Sequence, residues 1–155
     1  MALPVDVNAV THSVQLAVAP VFFLTAVAGM ISAVAGRLAR IIDRARALEE
    51  KVRQSTDPAV TERHLQELST LRTRGRIANA CIGFLALCGV MIGFTIVALF
   101  IGQTGGATWP RVAVACFLTG VGSFLVALIG FMWETVLATQ LLNFKVLEMG
   151  REFRR

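Results

Sequence analysis

Val14–Gly36 reads VQLAVAPVFFLTAVAGMISAVAG, a run without one Asp, Glu, Lys or Arg. As a helix rising about 1.5 Å per residue it would reach about 34 Å, enough for a hydrocarbon core of ~30 Å. The next stretch, RLARIIDRARALEEKVRQ (Arg37–Gln54), sets Arg37, Arg40, Arg44, Arg46, Lys51 and Arg53 against Asp43, Glu49 and Glu50. An uncharged helix that ends in a basic flank is the pattern of a membrane span with its cations on the cytoplasmic side.

Two further blocks, Ile77–Trp109 and Val112–Trp133, are equally free of charge. The first is longer than one span, but GQTGGATWP (Gly102–Pro110) is turn chemistry and predicts a helix stop near Ile101. The expectation is an all-α integral membrane protein of one domain, residues 1–155, with spans over about 14–36, 77–101 and 112–133. The composition agrees: 55% hydrophobic and 16% charged residues, with a mean hydropathy of +0.68. A cleaved signal peptide would need a basic start and a short apolar core. MALPVDVNAVTHS (Met1–Ser13) holds no cation, so the first block is expected to be retained despite the small residues Ala33-Val34-Ala35.

The net charge of +5 is unevenly placed. Ten of the fifteen Lys and Arg fall between Arg37 and Arg76, four follow the third span, and Arg111 alone lies between spans two and three. This predicts an N-terminus and a Gly102–Arg111 loop outside, and residues 37–76 and the C-terminus inside. Nucleic acid is not an expected partner, because few aromatics and many carboxylates accompany the arginines.

Apolar periodicity continues past Gly36 as Leu38, Ile41, Ile42, Ala45, Leu48 and Val52. It breaks at STDPAV (Ser55–Val60) and resumes as Leu65, Leu68, Leu71, Gly75 and Ala78. Residues 37–76 are therefore expected to form a cytoplasmic antiparallel helical hairpin, each arm projecting about 25 Å if straight. Arg37, Arg40, Arg44, Arg72, Arg74 and Arg76 are candidates for hairpin contacts or for the phosphates of anionic lipid. Pro20 is a candidate kink, Asp6 a candidate first helix cap, and residues 134–155 a cytoplasmic C-terminal helix ending near Gly150.

Three faces hold small residues at helical spacing. In span two they are Asn79, Gly83, Ala86, Val90, Gly93 and Val97; in span three, Cys116, Thr119, Ser123, Ala127, Gly130 and Glu134; in span one, Thr25, Gly29, Ser32 and Gly36. Such faces pack helices closely in lipid, or line a water-filled path in an oligomer. Glu134 is the sharpest residue, because a carboxylate at a span end avoids lipid. It is expected to pair with an arginine such as Arg37 or Arg76, or else to ring a cytoplasmic pore mouth, with Asn79, Gln140 and Asn143 at its depth. Trp133 and Trp109 suit the two interfacial belts.

Catalytic groupings are missing: no Ser/His/Asp set, no HExxH, no phosphate-cradling glycine loop. Cys81, Cys88 and Cys116 form no CxxC and the two histidines lie far from them, so neither metal nor cofactor is expected. No enzymatic activity is expected.

The segment LAVAPVFFLTAVAGMISAVAGRLARIIDRARALE (Leu16–Glu49) resembles a family of small bacterial multi-span membrane proteins filed only as a domain of unknown function. The matching elements are Ala19-Pro20, Gly36-Arg37-Leu38 and Ile42-Asp43-Arg44. RTRGRIANACIGFLAL (Arg72–Leu87) resembles the family's second basic-to-apolar junction. The resemblance implies the same topology, in a bacterial inner membrane, and supplies no activity. Two functions follow as expectations for a homo-oligomer. The first is a passive ion-conducting pore, preferred because it uses both the hydroxyl face and Glu134. The second is a non-conducting scaffold whose basic hairpin binds a cytoplasmic protein partner or membrane lipids.

Overall fold

The computed structural model describes residues 7–55, 57–102 and 109–152, with side chains described at 11, 14–55, 57–102 and 109–138. It is all-helical: α1 (Val7–Gln54), α2 (Pro58–Gly102) and α3 (Trp109–Glu152). Each contains a stretch long and apolar enough to cross a membrane. Residues 103–108 of the expected loop and Asp6, the expected cap, lie outside the described residues. The apolar spans are parts of longer helices: α1 runs 48 residues, more than twice the ~20 a bilayer core needs. It continues through Pro20, as membrane helices do when neighbours compensate for the missing hydrogen bond. Likewise α3 passes Gly150 and ends at Glu152, because one glycine costs a helix only about 1 kcal/mol.

The junction between α1 and α2 follows ordinary capping chemistry. Ser55 N–H bonds the Lys51 carbonyl at 3.0 Å, and Lys51 and Arg53 in the last turn complement the helix dipole. Asp57 then caps α2: its Oδ1 accepts the Ala59 N–H at 3.0 Å and its carbonyl accepts the Thr61 N–H at 3.1 Å. Pro58 takes the first helical position, where its missing donor is not needed.

Each helix buries a seam at alternating three- and four-residue steps, the spacing of helices packed knobs-into-holes. In α1 the seam runs through Ala17, Pro20, Leu24, Val27, Ile31, Val34, Leu38, Ile41, Ala45, Leu48 and Val52, all buried or half-buried. In α3 they run from Ala113 through Gly120, Ser123, Ala127 and Gly130 to Glu134 and Leu137. In α2 two three-residue steps follow one another at Gly75, Ala78 and Cys81, which locally shifts the phase of the seam.

The chain divides into two compact units. One holds residues up to Ala33 with Ile82–Ala127. Its seam is close-packed: Leu85, Cys88 and Ile92 are fully buried, Phe23 meets Phe124 edge-on at 5.0 Å, and a Cβ on Gly120 would lie 3.1 Å from Ile92 Cδ1. Outward it presents Phe22, Phe94, Leu118 and Leu125, an apolar surface suited to lipid.

The other unit holds Val34–Cys81 and the segment from Leu128 onward. Ile41, Leu48, Leu68 and Leu71 form its aliphatic cluster, with Ala45 packed against it. Here Leu65 and Ile42 depart from the periodicity read above. Leu65 is 50% exposed and Ile42 41%, because the seam passes through neighbouring positions of the same helices.

Candidate functional site: a buried carboxylate and an arginine cleft

In the second unit the polar chemistry gathers around Glu134. Its side chain is 2% exposed, although it follows the strongly exposed Trp133. Glu134 occupies a seam position of α3, so the helix turns it inward. An unpaired carboxylate there would carry a large desolvation cost. Two guanidiniums compensate it. Arg37 from α1 approaches Oε2 with Nη2 at 2.7 Å, and Arg74 from α2 donates Nη2 and Nε to Oε1 at 2.8 and 3.1 Å.

Further contacts fix Arg37. Its Nη1 donates to Thr135 Oγ1 at 3.1 Å, and that hydroxyl donates to the Phe131 carbonyl at 2.9 Å. The guanidinium also lies 5.1 Å from the centroid of the Phe131 ring, within cation–π range. The result is an Arg–Glu–Arg cluster that ties all three helices in this unit and carries one net positive charge.

The cluster opens onto a cleft of about 270 Å³ lined by Arg37, Arg40, Ile41, Arg44 and Arg74. All four arginines directly precede seam positions: Leu38, Ile41, Ala45 and Gly75. This flanking register is where packed helices place their interhelical charges. Glu67, which precedes Leu68, obeys the same rule and accepts a 2.7 Å bond from Arg44 Nη2.

The expected arginines thus separate into two groups. Arg37, Arg40, Arg44 and Arg74 come together; Arg72 and Arg76 do not line the cleft. Arg72 reaches Glu49 only at 4.0 Å, and Arg76 has no ion pair among the described residues. Pairing of Glu134 with Arg37 agrees with the expectation, whereas its second partner is Arg74 rather than Arg76. Arg74 directly precedes the seam residue Gly75, a register that the two short steps of α2 obscure in the sequence. Thr135 and Phe131 carry no signal in sequence.

The small-residue faces separate as well. On α3, Ser123 and Ala127 are buried, and a Cβ on Gly130 would stand 2.8 Å from Cys81 Sγ. Thr119 is the exception on that face; it is exposed and donates its hydroxyl to the Ala115 carbonyl at 2.8 Å. On α2, Asn79, Gly83, Ala86, Val90 and Val97 are exposed, and a Cβ on Gly83 or Gly93 would meet nothing within 4 Å among the described residues. On α1, Thr25, Gly29, Ser32 and Gly36 are exposed too. Gln140 and Asn143 lie outside the described side chains. The three cysteines are free thiols, and no group of three metal-ligating side chains occurs among the described residues.

A family model described as "Protein of unknown function (DUF2721)" matches residues 17–144. The chain belongs to this family. The match takes in Glu134, its two arginine partners and the whole cleft. No curated protein and no solved structure matches the chain.

Proposed function

We propose that this protein is a non-conducting, self-associating scaffold of the bacterial inner membrane. Its N-terminus lies outside and its C-terminus inside. Residues 37–76 form a cytoplasmic helical hairpin that binds anionic lipid or a cytoplasmic partner. The orientation rests on the cation bias: ten of fifteen Lys and Arg fall within residues 37–76.

One observation carries the choice of scaffold over pore. Glu134, the acid a cation-selective mouth would use, spends both oxygens on Arg37 and Arg74 within one chain. Ser123 and Gly130, which would line a path along α3, are likewise consumed by packing. Self-association draws on the exposed small faces of α1 and α2, since close approach of backbones replaces hydrophobic drive in lipid.

The test is ion flux from liposomes reconstituted with the purified protein. Leak no greater than that of protein-free vesicles is expected, and unchanged by Glu134→Gln. Flux that rises with protein density and changes selectivity on Glu134→Gln would overturn the scaffold. Cysteines introduced at Arg46 and at Gly105 should label from the inside and the outside respectively; the reverse pattern would overturn the orientation.

A pore remains the second reading, lined by α1. Thr25 and Ser32 are polar and exposed and share their helix with the exposed Gly29, the composition of a path closed by several copies. Native mass spectrometry separates the cases: four or more copies could enclose such a path, whereas a monomer or dimer has too few helices.

A further inference from the structure

We infer that the cleft between Arg37, Arg40, Arg44 and Arg74 is a binding site for a phosphate monoester dianion. The inference rests on the proposed placement of residues 37–76 at the cytoplasmic face only in so far as the phosphate belongs to a lipid.

The charge inventory comes first. Four guanidiniums line the cleft, and the two carboxylates bound to them are Glu134 and Glu67. Two positive charges are left unmatched. Asp43, three residues from Arg40, makes no ion pair among the described residues and does not line the cleft. Arg40 is exposed and has no ion pair or hydrogen bond among the described residues. A dianion would complete the balance where a monoanion would complete only half.

Donor geometry is the second support. A guanidinium carries five N–H donors in a rigid plane suited to paired contacts with phosphate oxygens. Arg37 spends donors on Glu134 and Thr135, and Arg74 on Glu134, so each keeps N–H groups free for a further acceptor. Both inner guanidiniums are held in place by those bonds, so binding would not have to order them. Arg40 and Arg44 sit on the same helix face as Arg37, at i+3 and i+7, and supply the outer charges.

Size and lining point the same way. About 270 Å³ falls just under the ~300–1,000 Å³ of pockets for organic ligands, which are mostly apolar-walled. Here Ile41 is the single apolar lining residue among the described residues. The phosphate can come from the headgroup of a lipid such as phosphatidic acid or from a free phosphate, since the chemistry recognised is the same.

The test titrates the purified full-length protein in detergent with phosphatidic acid, a monoester, and phosphatidylglycerol, a diester, by native mass spectrometry. Phosphatidic acid is expected to bind about tenfold tighter, the difference made by one further charge-assisted contact. Arg40→Gln with Arg44→Gln should weaken it by about tenfold or more. Arg46→Gln with Arg53→Gln removes the same charge away from the cleft and should leave affinity unchanged. Arg40→Gln alone breaks no described ion pair and should give a smaller loss of the same sign.

Inorganic phosphate is then added as competitor. Displacement of the lipid assigns the site to the phosphate group itself, and resistance to displacement assigns it to the lipid headgroup. Equal affinity for the two lipids, or equal loss from both double variants, would overturn the site and leave only a diffuse basic surface. Liposome flux and cysteine labelling are measured separately, so a failed scaffold and an empty cleft give different results.

Discussion

The small residues of α3 and those of α2 have nearly the same spacing, yet they serve opposite ends. On α3, Ser123, Ala127 and Gly130 are closed against the chain's own helices, so that a Cβ at Gly130 would stand 2.8 Å from Cys81 Sγ. On α2, a Cβ on Gly83 or Gly93 would meet nothing within 4 Å among the described residues of other turns and helices. The physical difference is register. The α2 seam runs through Ala78, Cys81, Leu85, Cys88 and Ile92, and the glycines fall beside it. The α3 seam runs through the small residues themselves. A small-residue face therefore marks where a helix can be approached closely, and the seam decides which neighbour does so.

The largest effect should come from the end of the α3 face, where small residues give way to Glu134. Glu134→Ala leaves the half-buried Arg37 and Arg74 side by side without their acid. Breaking a buried pair by removing one partner typically costs about 3–5 kcal/mol, and thermal unfolding in detergent should show a loss of that order. Adding Arg74→Gln to Glu134→Gln should restore part of it by removing one stranded charge. If Glu134→Ala melts like the parent, the cluster does not hold the helices together.

Next is the aliphatic cluster, where Leu48→Ala should cost about 2–5 kcal/mol because Leu48 is buried among Ile41, Leu68 and Leu71. Leu65→Ala, at a half-exposed position of the same periodic run, should stay within about 0.5 kcal/mol. Urea or thermal melts of the two variants should separate them clearly. Equal losses would mean that Leu65 is covered in the intact assembly.

Much of this was legible in the sequence. Uncharged blocks gave three membrane-length helices, since the chemistry of an oil-like solvent leaves little choice. The seam in α1 was visible as Leu38, Ile41, Ala45 and Leu48, because aliphatic residues repeat there without competition. The site was only half legible. A buried acid at a span end demands a cation, and Arg37 was an evident partner. Choosing Arg74 over Arg76 required the phase of α2, which is obscured where Gly75, Ala78 and Cys81 take two short steps in a row. The opposite uses of the α2 and α3 faces were not legible, because composition is the same and only relative rotation distinguishes them.

Gly130→Ala sharpens that contrast on the closed side. The new methyl would overlap Cys81 Sγ, and overpacking of this kind costs about 1–3 kcal/mol. Cys81→Ala removes the obstructing sulfur, so the double variant should recover most of the stability lost by Gly130→Ala. Recovery isolates the contact itself from the general effect of alanine in a helix. Failure to recover would mean that the backbones of α2 and α3 in this unit are set by something other than that contact.

The smallest expected effect is also the most informative about the open side. Gly83→Ala and Gly93→Ala meet no neighbour, and alanine favours a helix over glycine by up to about 1 kcal/mol. The monomer fold should therefore be unchanged or slightly stabilised. If the α2 face packs against a second copy, the added methyls hold the two backbones apart, and native mass spectra should shift from oligomer toward monomer without a lower melting temperature. That split between assembly and fold stability is what Gly130→Ala cannot produce, because its glycine is already in use within the chain. Unchanged oligomer mass in both variants would leave the α2 face to lipid, and self-association would have to use the exposed glycines of α1.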